Sequence, residues 1–324
     1  MLSYIILRLI QAFLTLIGVS FISFLIIKLA PGDYLDQLRL NPQVSQQTIE
    51  LLKSQFGLDR DIFSQFIKWL ISALSFDLGY SFQYHAPVSE LILDRIPATL
   101  FLSLGSAILS WIIAIPLGFF AGIKEGSNFD RFVLAFSYTF MSVPSFFLAF
   151  IFLLFVSQLG ILPVGGMYSP DFDSMSLPEK LLDLFYHMSV PLLTLSLISS
   201  AGLVRLMRSS VIELKKSPFL TALRAKGLKE SSIRRHLFKN ALNPFITLIG
   251  FEIASLLSGS AVIEIIFGWP GLGSLMLDAV LSQDLYLVMG GLYIGTILLL
   301  LGNFIADILL AILDPRIKDR ELTR

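Results

Sequence analysis

Cysteine is absent from this chain, and histidine occurs only three times in 324 residues. The first absence excludes disulfides, thiolate catalysis and lipoprotein attachment through a thiol. The three histidines, His85, His187 and His236, are scattered without metal-ligand spacing. Charge is also scarce: only 15% of residues are Asp, Glu, Lys or Arg, and the two signs balance at 24 each. Net charge therefore suggests no acidic or basic partner. Recognisable catalytic loops are missing too. The run from Gly268 to Gly273 has the outer glycines of a phosphate-binding loop, but Ser274-Leu275 stands where Lys-Ser/Thr is required. Gly18-Val-Ser20 lacks the closing glycine of a nucleophile elbow. Nothing visible would hydrolyse ATP or a peptide bond.

Apolar sequence is abundant. Hydrophobic residues make up 55% of the chain and the mean hydropathy is positive, +0.78. Crossing a bilayer core takes about 20 apolar residues. Six segments qualify, near Leu9–Leu29, Ala98–Ile123, Phe132–Ser157, Ser189–Met207, Phe245–Phe267 and Leu287–Leu313. The first is expected to be a retained span, since its apolar run is too long for a signal core and no Ala-x-Ala follows it. The expected fold is an all-α integral membrane protein of six transmembrane helices.

The distribution of positive charge orients these spans. Segments 1–8, 124–131, 208–244 and 314–324 carry Lys and Arg, whereas 158–188 has only Lys180 and 268–286 has none. Basic short loops mark the cytoplasmic side, so both termini are expected inside. The first loop, 31–97, is too long for that rule. Within it Ile62, Phe63, Phe66, Ile67, Leu70 and Leu74 recur at helical spacing, which predicts an amphipathic cap on the outer surface.

The stretch 209–243 is the strongest local signal, with eight basic residues opposed only by Glu213 and Glu230. Inside it lies a short helix with both ends marked. Ser217 suits the cap, Pro218 the first turn, and Gly227 a left-handed terminator. Phe219, Ala222, Leu223 and Lys226 are expected on one face. A helix this short is marginal alone and calls for a partner.

Pro116 with Gly118, and Pro144, are expected to interrupt the second and third spans. Ala114, Gly118 and Gly122 suit close helix packing. Ser196, Ser199, Ser200 and Gly202 make the fourth span small-sided, as a pathway wall or a tight helix contact. Pro144, Ser199, Gly202 and Glu252 are the candidates for pathway or gating. Intramembrane acids are few: Glu252, Glu264 and Asp307, of which Glu264 and Asp307 are expected near span ends, partly hydrated or paired locally.

Several ordered signatures together resemble the permease subunits of binding-protein-dependent ABC importers, in the subgroup that moves dipeptides, oligopeptides and nickel. They are Lys28-Leu-Ala-Pro-Gly-Asp33, Asp77-Leu-Gly-Tyr-Ser81, Arg95-Ile-Pro-Ala-Thr-Leu100, Ala225-Lys-Gly-Leu228, Lys239-Asn-Ala-Leu-Asn-Pro244, Glu264 to Gly273, and Leu313-Asp-Pro-Arg316. The resemblance implies the type I importer architecture: an N-terminal helix (1–30), an extracytoplasmic loop (31–97), a transmembrane core (98–313) and a cytoplasmic tail (314–324). It implies a coupling helix over Thr221, Ala222, Leu223, Arg224, Ala225, Lys226, Gly227 and Leu228. Small residues there would permit close approach to an ATPase, and Arg224 and Lys226 would meet its acids.

Implied partners are a homologous permease, two cytoplasmic ATPase subunits, an external solute-binding protein and the lipid membrane. ATP would be bound by the ATPases, and no nucleic acid, metal or cofactor of its own enters the picture. Departures from the family pattern are Thr221 in place of the usual Glu, Leu223 for an alanine, Phe76 for Gly, and Asn243 for an aliphatic residue. Peptide is the expected solute, with nickel, glutathione or a sugar derivative as alternatives. Two other readings of the residues remain. One is an ion-coupled carrier using Glu252 and Asp307. The other is a membrane scaffold whose basic loop binds anionic lipid.

Overall fold

The computed structural model describes residues 2–29, 39, 45–55, 61–245, 248 and 261–313. Among these, regular structure is helical apart from a single bridge between Tyr80 and Pro87. The helices are α1 (Leu2–Leu29), α2 (Gln46–Gln55), α3 (Ile62–Leu74), α4 (Val88–Ile123), α5 (Asn128–Ser142), α6 (Ser145–Leu159), α7 (Leu177–Lys216), α8 (Pro218–Ala225), α9 (Glu230–Ala241), α10 (Ala261–Ile266), α11 (Leu272–Leu281) and α12 (Leu285–Leu313).

Among the described residues, four helices are long and apolar enough to cross a membrane: α1, α4, α7 and α12. The third expected span is instead two helices, α5 and α6, bent by 103°. Pro144 explains the break. It has no N–H to continue the ladder of α5, and its ring holds Val143 extended, at φ −85° and ψ 125°. The second span departs from expectation the other way. α4 starts ten residues before Ala98 and runs unbroken through Pro97 and Pro116. A membrane helix tolerates an internal proline where neighbouring groups satisfy the freed carbonyl. The fifth expected span, Phe245–Phe267, lies mostly outside the described residues. Phe245 is buried at one end, and α10 forms the other. The signatures at Lys28–Asp33 and Leu313–Arg316, the tail 314–324, Glu252 and the side chain of Asp307 also lie wholly or partly outside them.

α4 and α7 form the spine. Their contact depends on glycine. A β-carbon at Gly118 would lie 2.5 Å from the Val204 carbonyl oxygen, and one at Gly122 would lie 2.6 Å from Cβ of Val211. Ala114 is fully buried one turn earlier. These small residues serve the close packing expected of them.

Three apolar clusters are stacked along this spine. One joins Leu102 and Ala149 to Phe267 and Trp269. A second, at the basic end, joins Val133, Met207, Val211, Leu237 and Phe245. The third, at the opposite end, ties Phe24 of α1, Phe66 and Trp69 of α3, and Tyr293 of α12. The edge-on Trp69–Tyr293 contact, 5.6 Å between ring centres, fixes α3 on the bundle. α3 has the expected bounds, but its inward face is Phe66, Trp69 and Ala73. Ile62, Phe63, Ile67 and Leu74 stay exposed. Phe66 and Trp69 supply most of the apolar area that α3 buries.

The segment between α3 and α4 is pinned to the start of α12. Asp284 is fully buried and accepts hydrogen bonds from Ser81 Oγ (2.6 Å), the Gln83 N–H (3.0 Å) and the Leu287 N–H (3.1 Å). Gly79, at φ +94°, packs its bare α-carbon against the Tyr286 ring. The Asp77–Ser81 signature is therefore a turn built to seat on α12. Nearby, Tyr84 donates to Asp278 (3.2 Å), and burial plus that carboxylate push its phenol above the ordinary value.

Candidate functional site

The expected coupling helix is α8, and the geometry around it starts with how α7 is held. At 40 residues, α7 is about 60 Å long, twice the thickness of a bilayer core, so it must project from the membrane. Its final turns are clamped. Arg208 grips Asp130 bidentately, Nε to Oδ1 at 2.5 Å and Nη2 to Oδ2 at 2.8 Å. Asp130 is 2% exposed and also accepts from the Gly126 N–H at 2.9 Å. Lys215 Nζ donates to the carbonyls of Gly122 (3.0 Å) and Ile123 (3.3 Å), the unpaired end of α4. A cation there also meets the negative end of the helix dipole. Charged groups of α7 thus close the corner between α4 and α5.

From this fixed point the chain turns at Ser217 (φ −80°, ψ 154°) into α8. Pro218 takes the first helical turn, as expected, and Gly227 is left-handed at φ +71°. Ser217 occupies the cap position, but its hydroxyl donates back to the Leu214 carbonyl at 2.7 Å rather than accepting from α8. The seated face also differs. Leu220 is buried and Leu223 half-buried, while Ala222 and Lys226 are exposed. The inward stripe is set by the leucines, which remove more apolar area from water than alanine or a lysine stem. Leu220 and Leu223 hold α8 from within.

Outside, Thr221, Ala222, Arg224, Ala225, Lys226 and Gly227 form an exposed surface of short side chains flanked by two cations, with Leu228 half-buried at its edge. Arg224 reaches Glu230 at 3.8 Å, but both are more than 60% exposed, so the pair holds little energy. α9 supports α8 from behind. It buries Ile233, Leu237 and Ala241, and Phe238 meets Phe119 edge-on with ring centres 5.0 Å apart. The stretch 209–243 is therefore mostly helical, not the loop its polarity suggested. Arg224, Glu230, Arg234, Arg235 and Lys239 lie on the solvent faces of α8 and α9, while Lys215 of α7 turns in to the end of α4.

The three pathway candidates among the described residues fall on accessible surface. Pro144 is exposed at the bend, and Ser199 and Gly202 share an exposed face of α7. Ser196 and Ser200 point inward; Ser196 donates to the Ser106 and Leu192 carbonyls. Sequence reasoning missed Arg205, one turn beyond Gly202. Its guanidinium lies over the Tyr138 ring, 5.1 Å from the centre, with Nη1 3.3 Å from Met141 Sδ. The i, i+3, i+6 spacing of 199, 202 and 205 could have flagged it.

Glu264 is where the structure most alters the reading. It is fully buried, not hydrated. Its carboxylate accepts from Thr99 Oγ1 (2.8 Å), the Gly273 N–H (2.8 Å) and the Ser274 N–H (3.3 Å). It therefore caps the start of α11, where an anion also meets the positive helix end. Thr99 Oγ1 in turn accepts from the Leu272 N–H at 2.7 Å, and Trp269 Nε1 donates to the Ala98 carbonyl at 2.9 Å. The Arg95–Leu100 and Glu264–Gly273 signatures are thus two halves of one knot. Gly271 and Gly273 are needed because a side chain at either would overlap the Glu264 carboxylate.

Comparison with known proteins bears on the whole chain. The profile of the family described as binding-protein-dependent transport system inner membrane component matches residues 114–319, and that of its N-terminal companion matches residues 1–103. This chain belongs to that family. The oligopeptide transport system permease protein AppB of Bacillus subtilis (strain 168) is 36% identical over 98% of this chain and 100% of its own length. The nickel import system permease protein NikB of Staphylococcus aureus (strain MRSA252) is 34% identical, covering 95% of this chain and 90% of its own. The dipeptide transport system permease protein DppB of Escherichia coli (strain K12) is 31% identical over 99% of this chain and 100% of its own length. The permease is a multi-pass inner-membrane protein and not an enzyme. Permeases of this family work with ATPase subunits and a binding protein.

Proposed function

We propose that this permease imports di- or oligopeptides, driven by ATP hydrolysis on partner subunits, and that α8 is the helix through which the drive reaches it. ATP would be bound wholly by two ATPases on the cytoplasmic side, with the amino terminus on that same side. A second, homologous permease completes the pathway as a heterodimer. The observation that carries the reading is the form of α8. Its inner face is anchored by Leu220 on a clamped helix, and its outer face is short side chains with Arg224 and Lys226 at the rim. Such a surface admits close docking into a groove with acidic edges. The peptide assignment is supported by two of the relatives above, named for oligopeptide and dipeptide transport; the third is named for nickel.

Mechanistically, ATP closes the ATPase pair, α8 moves with it, and the stiff α7 passes the displacement into the membrane. ATP shifts the population only by as much as it binds one conformation better than the other. The test is the co-expressed complex in lipid, with and without Ala225→Glu. Loss of ATPase activity or of ATPase copurification is expected. Full activity with full assembly would show that this face does not dock.

A further inference from the structure

One side of α9 is apolar and the opposite side is cationic. Ile233, Leu237 and Ala241 recur at i, i+4 and i+8 and are buried. Leu237 and Ala241 join the cluster that α4 and α7 build around Met207 and Val211. Arg235 and Lys239 form an i, i+4 stripe on the far side of the helix, with Arg234 beside them, and all three are exposed. Glu230, the single acid of α9, stands in its first turn and reaches Arg224 of α8 at 3.8 Å. A cationic stripe far from the bilayer would be a solvated face and nothing more. This one is not far from it.

α4 supplies the measure of depth. The sequence holds no charged residue between Arg95 and Lys124. Their separation along the helix is about 43 Å, close to the full thickness of a bilayer with its headgroups. Phe238 of α9 meets Phe119 edge-on, and Phe245, just beyond α9, meets Trp111 edge-on with ring centres 5.5 Å apart. The chain therefore runs back into the membrane antiparallel to α4. Phe119 lies about 6 Å short of the end of α4, at the boundary between acyl chains and headgroups. Phe238 shares that level. Arg234 and Arg235, one turn earlier, stand among the headgroups, and the flexible stem of Lys239 carries its ammonium back to them. The apolar stripe is seated on the bundle, so the cationic stripe points away from it. Guanidinium groups at this depth match phosphodiester oxygens, which they grip bidentately.

We propose that Arg234, Arg235 and Lys239 of α9 bind the headgroup phosphates of anionic glycerophospholipids. The lipid would brace the helix that supports α8 from behind.

The test is native mass spectrometry of the purified importer complex titrated with dioleoylphosphatidylglycerol. Arg235→Gln should bind the lipid about tenfold more weakly than wild type, the scale of a lost charge-assisted hydrogen bond. Lys229→Gln removes the same charge from the same helix about 9 Å further from the bilayer, and should leave retention within about twofold. Equal retention in wild type and Arg235→Gln would overturn the proposal, and so would equal losses in the two variants, which would reduce the effect to diffuse charge. A measurement on the unaltered complex guards against a folding defect: wild type should prefer dioleoylphosphatidylglycerol to dioleoylphosphatidylcholine about tenfold, and no preference would sink the idea. Displacement by inorganic phosphate at the same concentration as the lipid would make this a plain anion site and refute it. Loss of an ATPase from Arg235→Gln with lipid retention unchanged would assign the face to a protein partner instead.

Discussion

A single buried carboxylate can tie a membrane protein together, and Glu264 joins α4 to α11 in this way. Ionisable residues at membrane depth suggest function by default. Here a hydroxyl of α4 and two amides of α11 donate to the carboxylate. Glu264→Gln keeps the shape but turns one acceptor into a donor facing an N–H. It should lower stability by roughly 1–3 kcal/mol, read as a fall in the thermal unfolding midpoint in detergent. An unchanged midpoint would mean that the knot is not under load. Gly118→Val makes a complementary prediction by overpacking. Its side chain would enter the space of the Val204 carbonyl and should destabilise by roughly 1–3 kcal/mol, measured in the same way. The sequence made Glu264 and the glycines visible as signature residues. It could not show why they recur together, because the partner Thr99 lies 165 positions away.

Among the elements, periodicity and length revealed most helices, and their interruptions proved harder to read. Pro144 breaks its span and Pro116 does not. The same residue type gives opposite results because neighbouring helices decide whether the freed carbonyl is satisfied. The basic stretch misled in another way. Its polarity suggested a loop, yet it holds two helices, because only one stripe of each needs to be apolar to seat it. The Arg208–Asp130 clamp was invisible, since an ion pair 78 residues apart leaves no local pattern. Removing one partner of a buried pair costs roughly 3–5 kcal/mol. Arg208 keeps 21% of its side chain exposed, so Arg208→Gln belongs near the lower end. The double exchange Asp130→Arg with Arg208→Asp should recover part of the loss in thermal stability. No recovery would show that the fixed fork of arginine toward α5, and not charge pairing, sets the corner.

For the molecule as a whole, the proposed coupling asks that α8 be both rigidly mounted and freely presented, and Gly227 is where these demands separate. Its φ of +71° turns the chain from α8 into α9, and a β-carbon there would meet open space. Substitution is therefore a test of backbone conformation, not of internal packing. A β-branched residue in the left-handed region is strained by roughly 1–3 kcal/mol, whereas asparagine visits that region readily. If the turn is what matters, Gly227→Val should lower stimulated ATPase activity of the reconstituted complex and Gly227→Asn should keep most of it, with ATPase copurification intact in both. If smallness at the docked face is what matters, the two substitutions should fail alike and lose the ATPase from the purified complex. Coupling unaffected by either would remove the α8–α9 turn from the transmission route and leave α7, with its clamp at Arg208, as the part that carries the motion.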